Sequence, residues 1–362
     1  MQYTKNELKH LFLQQSCIDA WDEYERQIKS EKAIVWDYVI LTASNEEQAG
    51  IYNEQIKYRL NNGSLPKRTI YKVLPDPDGK RVGSGGATFN VLAWLAGQEG
   101  GSSKKNFKNK RILVIHSGGD SKRIPQYSVC GKLFSPVPRE LPNGSPSTLF
   151  DEFMISTAMI AGRIQEGMLV MSGDVLLLFN ALQIDSQFHG AAAISMKEQV
   201  SIGKDHGVFL NDGNDMVKCF LHKQTEKHLQ EVGAVNEHGN VDLDTGAVII
   251  DSDMLMSLFS LISTDGSVDD NKFEKFVNDR ARVSFYGDFL YPLASDATLE
   301  NYLMETPEGE FCKELEECRR EIWKVLKEYS LKLLCLSPAE FIHFGTTREL
   351  IELVTESVDD YK

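Results

Sequence analysis

Val82–Thr88 reads VGSGGAT, and Ile115–Lys132 reads IHSGGDSKRIPQYSVCGK. Each glycine run follows a stretch rich in β-branched and aliphatic residues, Thr69–Leu74 before the first and Arg111–His116 before the second, so each reads as a turn near the end of a strand. Glycine lets a ligand approach backbone N–H groups closely, which makes such a turn a natural phosphate or nucleotide cradle. Strand ends that carry cradles belong to open α/β sheets, so these two stretches decide the fold class. Two common cradles are excluded. Gln126 stands where a P-loop needs its first glycine and Leu133 follows Lys132 in place of Ser or Thr, while Thr88 stands where a dinucleotide fingerprint needs its third glycine.

Outward from these turns, strand-like and helix-like stretches alternate. Thr4–Lys29 has apolar residues at helical spacing and is expected to form an N-terminal helical extension (residues 1–32). Ala33–Ala43 reads as a strand, Ser44–Glu47 as a cap opening a helix that ends near Gly63, and Thr88 to about Gly97 as a further helix. A helix is expected over Thr148–Arg163, and strands over Met168–Ser172, Ala191–Met196, Gly207–Leu210, Met216–Leu221 and Ala247–Asp251. An amphipathic helix over Glu308–Ser330, the strand LKLLCL and a helix from Thr347 complete the pattern. The expectation is one domain over residues 33–362, an α/β fold with a mostly parallel sheet flanked by helices.

With 362 residues the chain can bury a large core without staples. Its net charge of −14 leaves no basic stripe for nucleic acid or an anionic membrane, so a small molecule is the expected partner. The six cysteines form no CxxC pair, which suits reduced thiols in a cytosol, and the eight histidines show no zinc spacing. The first residues lack a signal-peptide pattern and no run of eighteen apolar residues occurs, so a cytoplasmic protein is expected.

The second turn has a sequel: Gly118, Gly119, Arg123, Pro125, Lys132 and then Pro136-Val137-Pro138. This order resembles the signature of the sugar-nucleotide pyrophosphorylases. Further pieces follow in the order that family requires: Ser172-Gly173-Asp174, His206-Gly207-Val208-Phe209, Leu221-His222-Lys223-Gln224, Asp244-Thr245-Gly246-Ala247, and Phe344-Gly345-Thr346-Thr347 with Glu349. With GSGGAT, YGDFLYPL and EFIHFGTTREL, the chain resembles the GDP-L-fucose pyrophosphorylase domain of the bacterial bifunctional fucokinase/pyrophosphorylase family from about Ala33 to Val354.

The resemblance implies a nucleotide-diphospho-sugar-transferase-like, Rossmann-like fold, and formation of GDP-L-fucose and pyrophosphate from GTP and β-L-fucose-1-phosphate. It implies that Asp174 holds Mg²⁺, with Mn²⁺ as an alternative, and that Asp288 completes the metal site. Arg123 and Lys132 would neutralise the triphosphate and the departing pyrophosphate. Gly83, Ser84, Gly85, Gly86, Ala87, Gly118 and Gly119 would hold the nucleotide, the two turns dividing base and phosphates between them in an order left open. Lys223 would seat the sugar phosphate, with His206, Gly207, Thr245 and Gly246 around the sugar. In the bifunctional proteins a β-helix-like segment and a sugar kinase follow, so this chain is expected to be an N-terminal fragment. Two alternatives stand beside this reading: a uridylyltransferase for another sugar-1-phosphate, and a noncatalytic sugar-nucleotide-binding regulatory domain.

Overall fold

The computed structural model describes residues 4–98, 107–117, 124–127 and 131–355. Helix α1 (Lys5–Lys29) opens with a capping box in which Thr4 and Glu7 satisfy each other's backbone N–H groups. The chain then alternates strand and helix through β1 (Tyr38–Ala43), α2 (Glu46–Asn61), β2 (Ile70–Pro75), α3 (Gly83–Gln98) and β3 (Arg111–His116). A hairpin of β4 (Pro136–Glu140) and β5 (Pro146–Thr148) leads to α4 (Leu149–Ser156), α5 (Ala158–Arg163), β6 (Gly167–Ser172) and β7 (Val175–Phe179). Next are β8 (Gly190–Gln199), α6 (Val200–Gly203), β9 (Gly207–Asn211), β10 (Val217–His222), α7 (Glu226–Glu231), β11 (Asn240–Ile250) and α8 (Ser252–Leu261). The chain finishes with the small ribbon β12 (Ser263–Thr264) and β13 (Ser267–Val268), then α9 (Asp270–Phe276), α10 (Leu299–Met304), α11 (Lys313–Leu326), β14 (Ser330–Leu336), β15 (Ala339–His343) and α12 (Thr347–Thr355).

The large sheet runs β2-β1-β3-β6-β11-β9-β10, with β8 on β11 and β14 on β8. Its first half, β2-β1-β3-β6, is parallel, as the strand–helix alternation requires, and β14 also joins β8 in parallel. Around β11 the pairing turns antiparallel. Because side chains alternate across a strand, β1 sends Val39 and Leu41 to one core and Tyr38 and Ile40 to the other. Leu113 and Ile115 of β3 and Leu169 and Met171 of β6 join the first core, while Ile112, Val114, Met168 and Val170 join the second. Helices α1, α2, α4 and α5 cover the first core, and α3, α8, α9 and α11 the second. Each fully enclosed aliphatic side chain stabilises the fold by about 1.5–3 kcal/mol relative to exposure.

Three expectations are corrected. The stretch Thr148–Arg163 is two helices, because the Thr157 hydroxyl donates to Phe153 O (2.7 Å) and accepts from Trp36 Nε1 (3.3 Å), breaking the helix there. The helix after residue 308 begins only at Lys313, with Cys312 as its N-cap, which frees Glu305–Glu308 to form a loop. And α3 begins at Gly83, so GSGGAT is its first turn and not a loop before it.

Candidate active site

The site follows from a change of partner along β11. Its first half pairs with β9 (Asp242 opposite Phe209, Leu243 opposite Val208), and its second half pairs with β6 (Ala247 opposite Met171). The register shifts between Asp244 and Ala247, where Gly246 adopts φ +70°. The C-terminal end of β6 and the N-terminal end of β9 therefore face each other across Asp244-Thr245-Gly246 without pairing. A cleft of about 380 Å³ opens there, lined among others by Asp174, His206, Lys223, Asp244, Glu308 and His343.

Asp174 follows the end of β6, and its carboxylate is fully engaged. Lys132 Nζ donates to Oδ2 at 2.9 Å, and the Ser172 hydroxyl donates to Oδ1 at 2.6 Å. His343 Nε2 lies 3.8 Å from Oδ2, an ion-pair separation, while its Nδ1 is 2.9 Å from Glu349 Oε1. Burial would raise the Asp174 pKa, but His343, then Lys132, holds it well below the carboxylate range. Burial likewise works against a charged His343, yet its two carboxylate neighbours, Asp174 first, raise its pKa above the ordinary value. The Asp174 carboxylate thus faces Lys132 on one side and His343 on the other.

His343 is the main residue that sequence reading missed. It is placed by β15, which pairs antiparallel with β7 so that His343 sits opposite Val175, the residue after Asp174. Phe344 N donates to Asp174 O at 2.7 Å, pinning the two segments together. The available signal was period two in EFIHF, which puts Phe341 and His343 on one face.

On the β9–β10 side the structure brings together the residues expected around the sugar. His206, Gly207, Lys223, Thr245 and Gly246 all line the cleft. Lys223 N donates to His206 O at 2.9 Å, and Lys223 holds φ +49°, a conformation that costs a non-glycine residue about 1–2 kcal/mol. His206 and His222 titrate below the ordinary value, chiefly because burial disfavours the imidazolium. The Thr245 hydroxyl, however, is turned away: it donates to Ile194 O at 2.6 Å in the core, which leaves only the backbone of Thr245 for a ligand. Gly246 O accepts from the Tyr286 hydroxyl at 2.9 Å.

The first glycine turn is built for packing. The N–H groups of Gly85 and Gly86 donate to Val283 O at 2.7 and 3.2 Å, and a Cβ on Gly85 would come within 2.8 Å of the Val283 side chain. Ser84 N donates to Glu308 Oε2 at 3.1 Å, and the Ser84 hydroxyl donates to Glu308 Oε1. The glycine turn expected to hold a nucleotide is thus the start of a helix whose N-terminal N–H groups meet a protein carboxylate, and Ala87 is buried beneath it. Glu308 itself lines the cleft, and burial pushes its pKa up. Behind it, Thr88 Oγ1 donates to Ser84 O and lies 3.1 Å from His116 Nε2. Burial pushes the pKa of His116 down to about 4, so its ring is neutral.

Of the second turn, Gly118, Gly119 and Arg123 lie outside the described residues. Its two ends are anchored: Ser117 donates through N and Oγ to Thr42 (3.1 and 2.7 Å), and Gly131, at φ +70°, leaves room for the Tyr52 hydroxyl.

Asp288 is not a metal ligand. It is completely buried, Oδ1 accepts from Arg319 Nε at 2.7 Å, and Oδ2 accepts from Ser284 N at 2.6 Å. Besides Asp174, the carboxylates of Asp205, Asp244, Glu305 and Glu308 line the cleft; Gly246 N donates to Asp244 at 2.9 Å, and burial raises the Asp244 pKa to about 6. Among the described residues no three His, Cys, Asp or Glu side chains are grouped to hold a metal by themselves. The carboxylates on the cleft wall are hard oxygen donors, and Asp174 and Asp244 suit a cation that completes its shell with phosphate oxygens and water, as Mg²⁺ does.

No helix among the described residues is long and apolar enough to cross a membrane. Residues 104–362 match the family model described as the fucose pyrophosphorylase domain. Over 342 residues the chain is 31% identical to a human protein named fucose-1-phosphate guanylyltransferase, covering 87% of this chain and 54% of the relative. Over 347 residues it is 29% identical to an Arabidopsis thaliana bifunctional fucokinase/GDP-fucose pyrophosphorylase, covering 88% of this chain and 31% of the relative. The chain thus spans about half the length of the one and a third of the other. The solved structure of HddC from Yersinia pseudotuberculosis is similar at a TM-score of 0.41 and 11% identity, covering 94% of this chain and 83% of that one. A family model matched over more than two thirds of the chain's residues and relatives matched over most of its length agree: the chain belongs to the fucose pyrophosphorylase family.

Proposed function

We propose that this chain is a fucose-1-phosphate guanylyltransferase, converting GTP and β-L-fucose-1-phosphate into GDP-L-fucose and pyrophosphate. The observation that carries this reading is the ion pair that Lys132 makes with Asp174, a residue of the cleft wall, in a chain of this family. A phosphate oxygen of the sugar phosphate is already anionic near neutral pH, so it attacks the α-phosphorus in line without a protein base, forming one P–O bond as the bond to pyrophosphate breaks. The protein's part is positioning and charge neutralisation.

Lys132 supplies a fixed positive charge beside Asp174, where negative charge grows on the leaving pyrophosphate. Arg123 would add to it from the neighbouring turn. Lys223, held beside His206 on the cleft wall, seats the phosphate of the sugar. Asp174 and Asp244 are the residues that would hold Mg²⁺, which when bound withdraws charge from the phosphates. His343, fixed by Glu349, orients the Asp174 carboxylate.

Pyrophosphate release from GTP with β-L-fucose-1-phosphate and Mg²⁺ tests the proposal. Turnover that falls when UTP replaces GTP, or when the sugar phosphate is omitted, is the expected result. Preference for UTP would make the protein a uridylyltransferase, and binding of GDP-L-fucose without any pyrophosphate release would make it a noncatalytic sugar-nucleotide binder.

A further inference from the structure

Part of the cleft wall is aromatic. Phe220 of β10 packs against the core under α3 and α8, Phe341 of β15 packs against the core under α1 and α4, and both are half-buried with their remaining surface on the cleft. Gly207 is what admits the first ring: a Cβ there would lie 2.7 Å from Phe220, so any side chain at this position would push the ring off the β9 backbone. The second ring is held edge-on by His206 (centroids 5.4 Å apart, planes at 82°) and stacked on His343 (6.3 Å, 18°). His206, next to Gly207 in the chain and against Phe341 in space, joins the two rings, and because its pKa is lowered it is a neutral aromatic wall element.

A cleft of about 380 Å³ has room for a monosaccharide phosphate. His206, Gly207, Phe220, His222 and Lys223 of the β9–β10 region line it. A sugar hydroxylated at every carbon would set a wet hydroxyl against two phenyl rings that offer no hydrogen bond. A 6-deoxyhexose presents a methyl group instead.

We propose that Phe220 and Phe341 form a subsite for the C6 methyl group of a 6-deoxyhexose-1-phosphate and so select it against the corresponding 6-hydroxy sugar. The inference rests on the guanylyltransferase reading and adds the determinant of sugar choice. The pair β-L-fucose-1-phosphate and β-L-galactose-1-phosphate differs only by that hydroxyl. An apolar pocket rejects an added hydroxyl by about 10- to 100-fold in kcat/KM, which is the preference expected of the unaltered protein. Phe220→Ala and, separately, Phe341→Ala are expected to cut that ratio to about 3-fold or less while the KM for GTP stays within about 2-fold.

Gly207→Ala, which keeps both rings but displaces Phe220, should lower the ratio as well. Each variant is first checked for a cooperative melt, and the ratio is read on folded protein, so loss of stability alone does not imitate loss of selectivity. A ratio near one in the unaltered protein, or an unchanged ratio in all three variants, overturns the subsite while leaving the guanylyltransferase reading intact. A raised KM for GTP with an unchanged sugar ratio overturns it too, because the rings would then contact the base. No turnover of either sugar phosphate by the unaltered protein refutes the guanylyltransferase reading, and the subsite falls with it.

Discussion

Asp288 offers the clearest separation of a structural carboxylate from a metal-binding one. Its partner Arg319 is as deeply buried as it is: Nη1 donates to the carbonyls of Tyr302 (3.2 Å), Leu303 (3.3 Å) and Glu305 (2.7 Å), while Nη2 is buried with no hydrogen-bond partner among the described residues. Asp288→Ala would strand a buried cation and leave Ser284 N without its acceptor. Breaking a buried pair from one side costs about 3–5 kcal/mol, a large part of the roughly 5–15 kcal/mol that keeps a domain folded. With a urea m-value of about 3 kcal/mol/M, the unfolding midpoint should fall by about 1–1.7 M. The half-saturating Mg²⁺ concentration for pyrophosphate release should stay unchanged in whatever fraction remains folded. Asp288→Asn keeps an acceptor for Ser284 N and should fall between the two. A variant with a normal midpoint and weakened Mg²⁺ dependence would refute this argument and return Asp288 to the metal site.

Lys132→Ala should lower turnover about 10²- to 10³-fold with a much smaller change in GTP affinity, since its charge is needed most as pyrophosphate leaves; single-turnover kinetics with an equilibrium GTP titration separates the two. Lys223→Ala should raise the KM for the sugar phosphate about 10- to 150-fold, the loss of one charged contact, with little effect on GTP; equal losses for both substrates would mean that Lys223 supports the backbone. Lys223→Gly, which relieves the strain at φ +49°, should lose the same affinity yet melt no lower than Lys223→Ala. His116 gives a pH signature of stability. Its pKa is lowered from 6.5 to about 4, so between those values the unfolded chain binds the extra proton. Stability is therefore complete above pH 6.5 and lost as pH falls toward 4, by about 3 kcal/mol. Urea melts across that window should show the slope in the parent and lack its His116 component in His116→Leu.

What was legible in the sequence is what depends on neighbours in the chain. The end of β6 could be read because an unbroken apolar run stops at Ser172-Gly173-Asp174, and Asp174 does sit in the cleft. Asp288 was misread because the resemblance alone assigned it to the metal site, and nothing local announces an arginine 31 residues later in sequence that closes over it. VGSGGAT reads as a loop for the same reason. Its glycines would disfavour a helix in isolation, and only Val283 O and Glu308, both distant in sequence, satisfy the N–H groups that let α3 start at Gly83.

His343 depends on the pairing of β15 with β7, a contact across most of the C-terminal half of the chain, and short apolar strands carry no mark of their partners. The cleft itself left a trace that physical reading could have used. Asp244-Thr245-Gly246 interrupts an otherwise apolar strand with a glycine, the pattern of a bulge, and a bulge in a long strand is where one edge can exchange β9 for β6. Read that way, the DTG segment places the unpaired ends of two strands opposite each other before any fold is known. Ser172, two residues before Asp174, and Gly207 are those ends, so the site follows from the break in β11 as directly as from any motif.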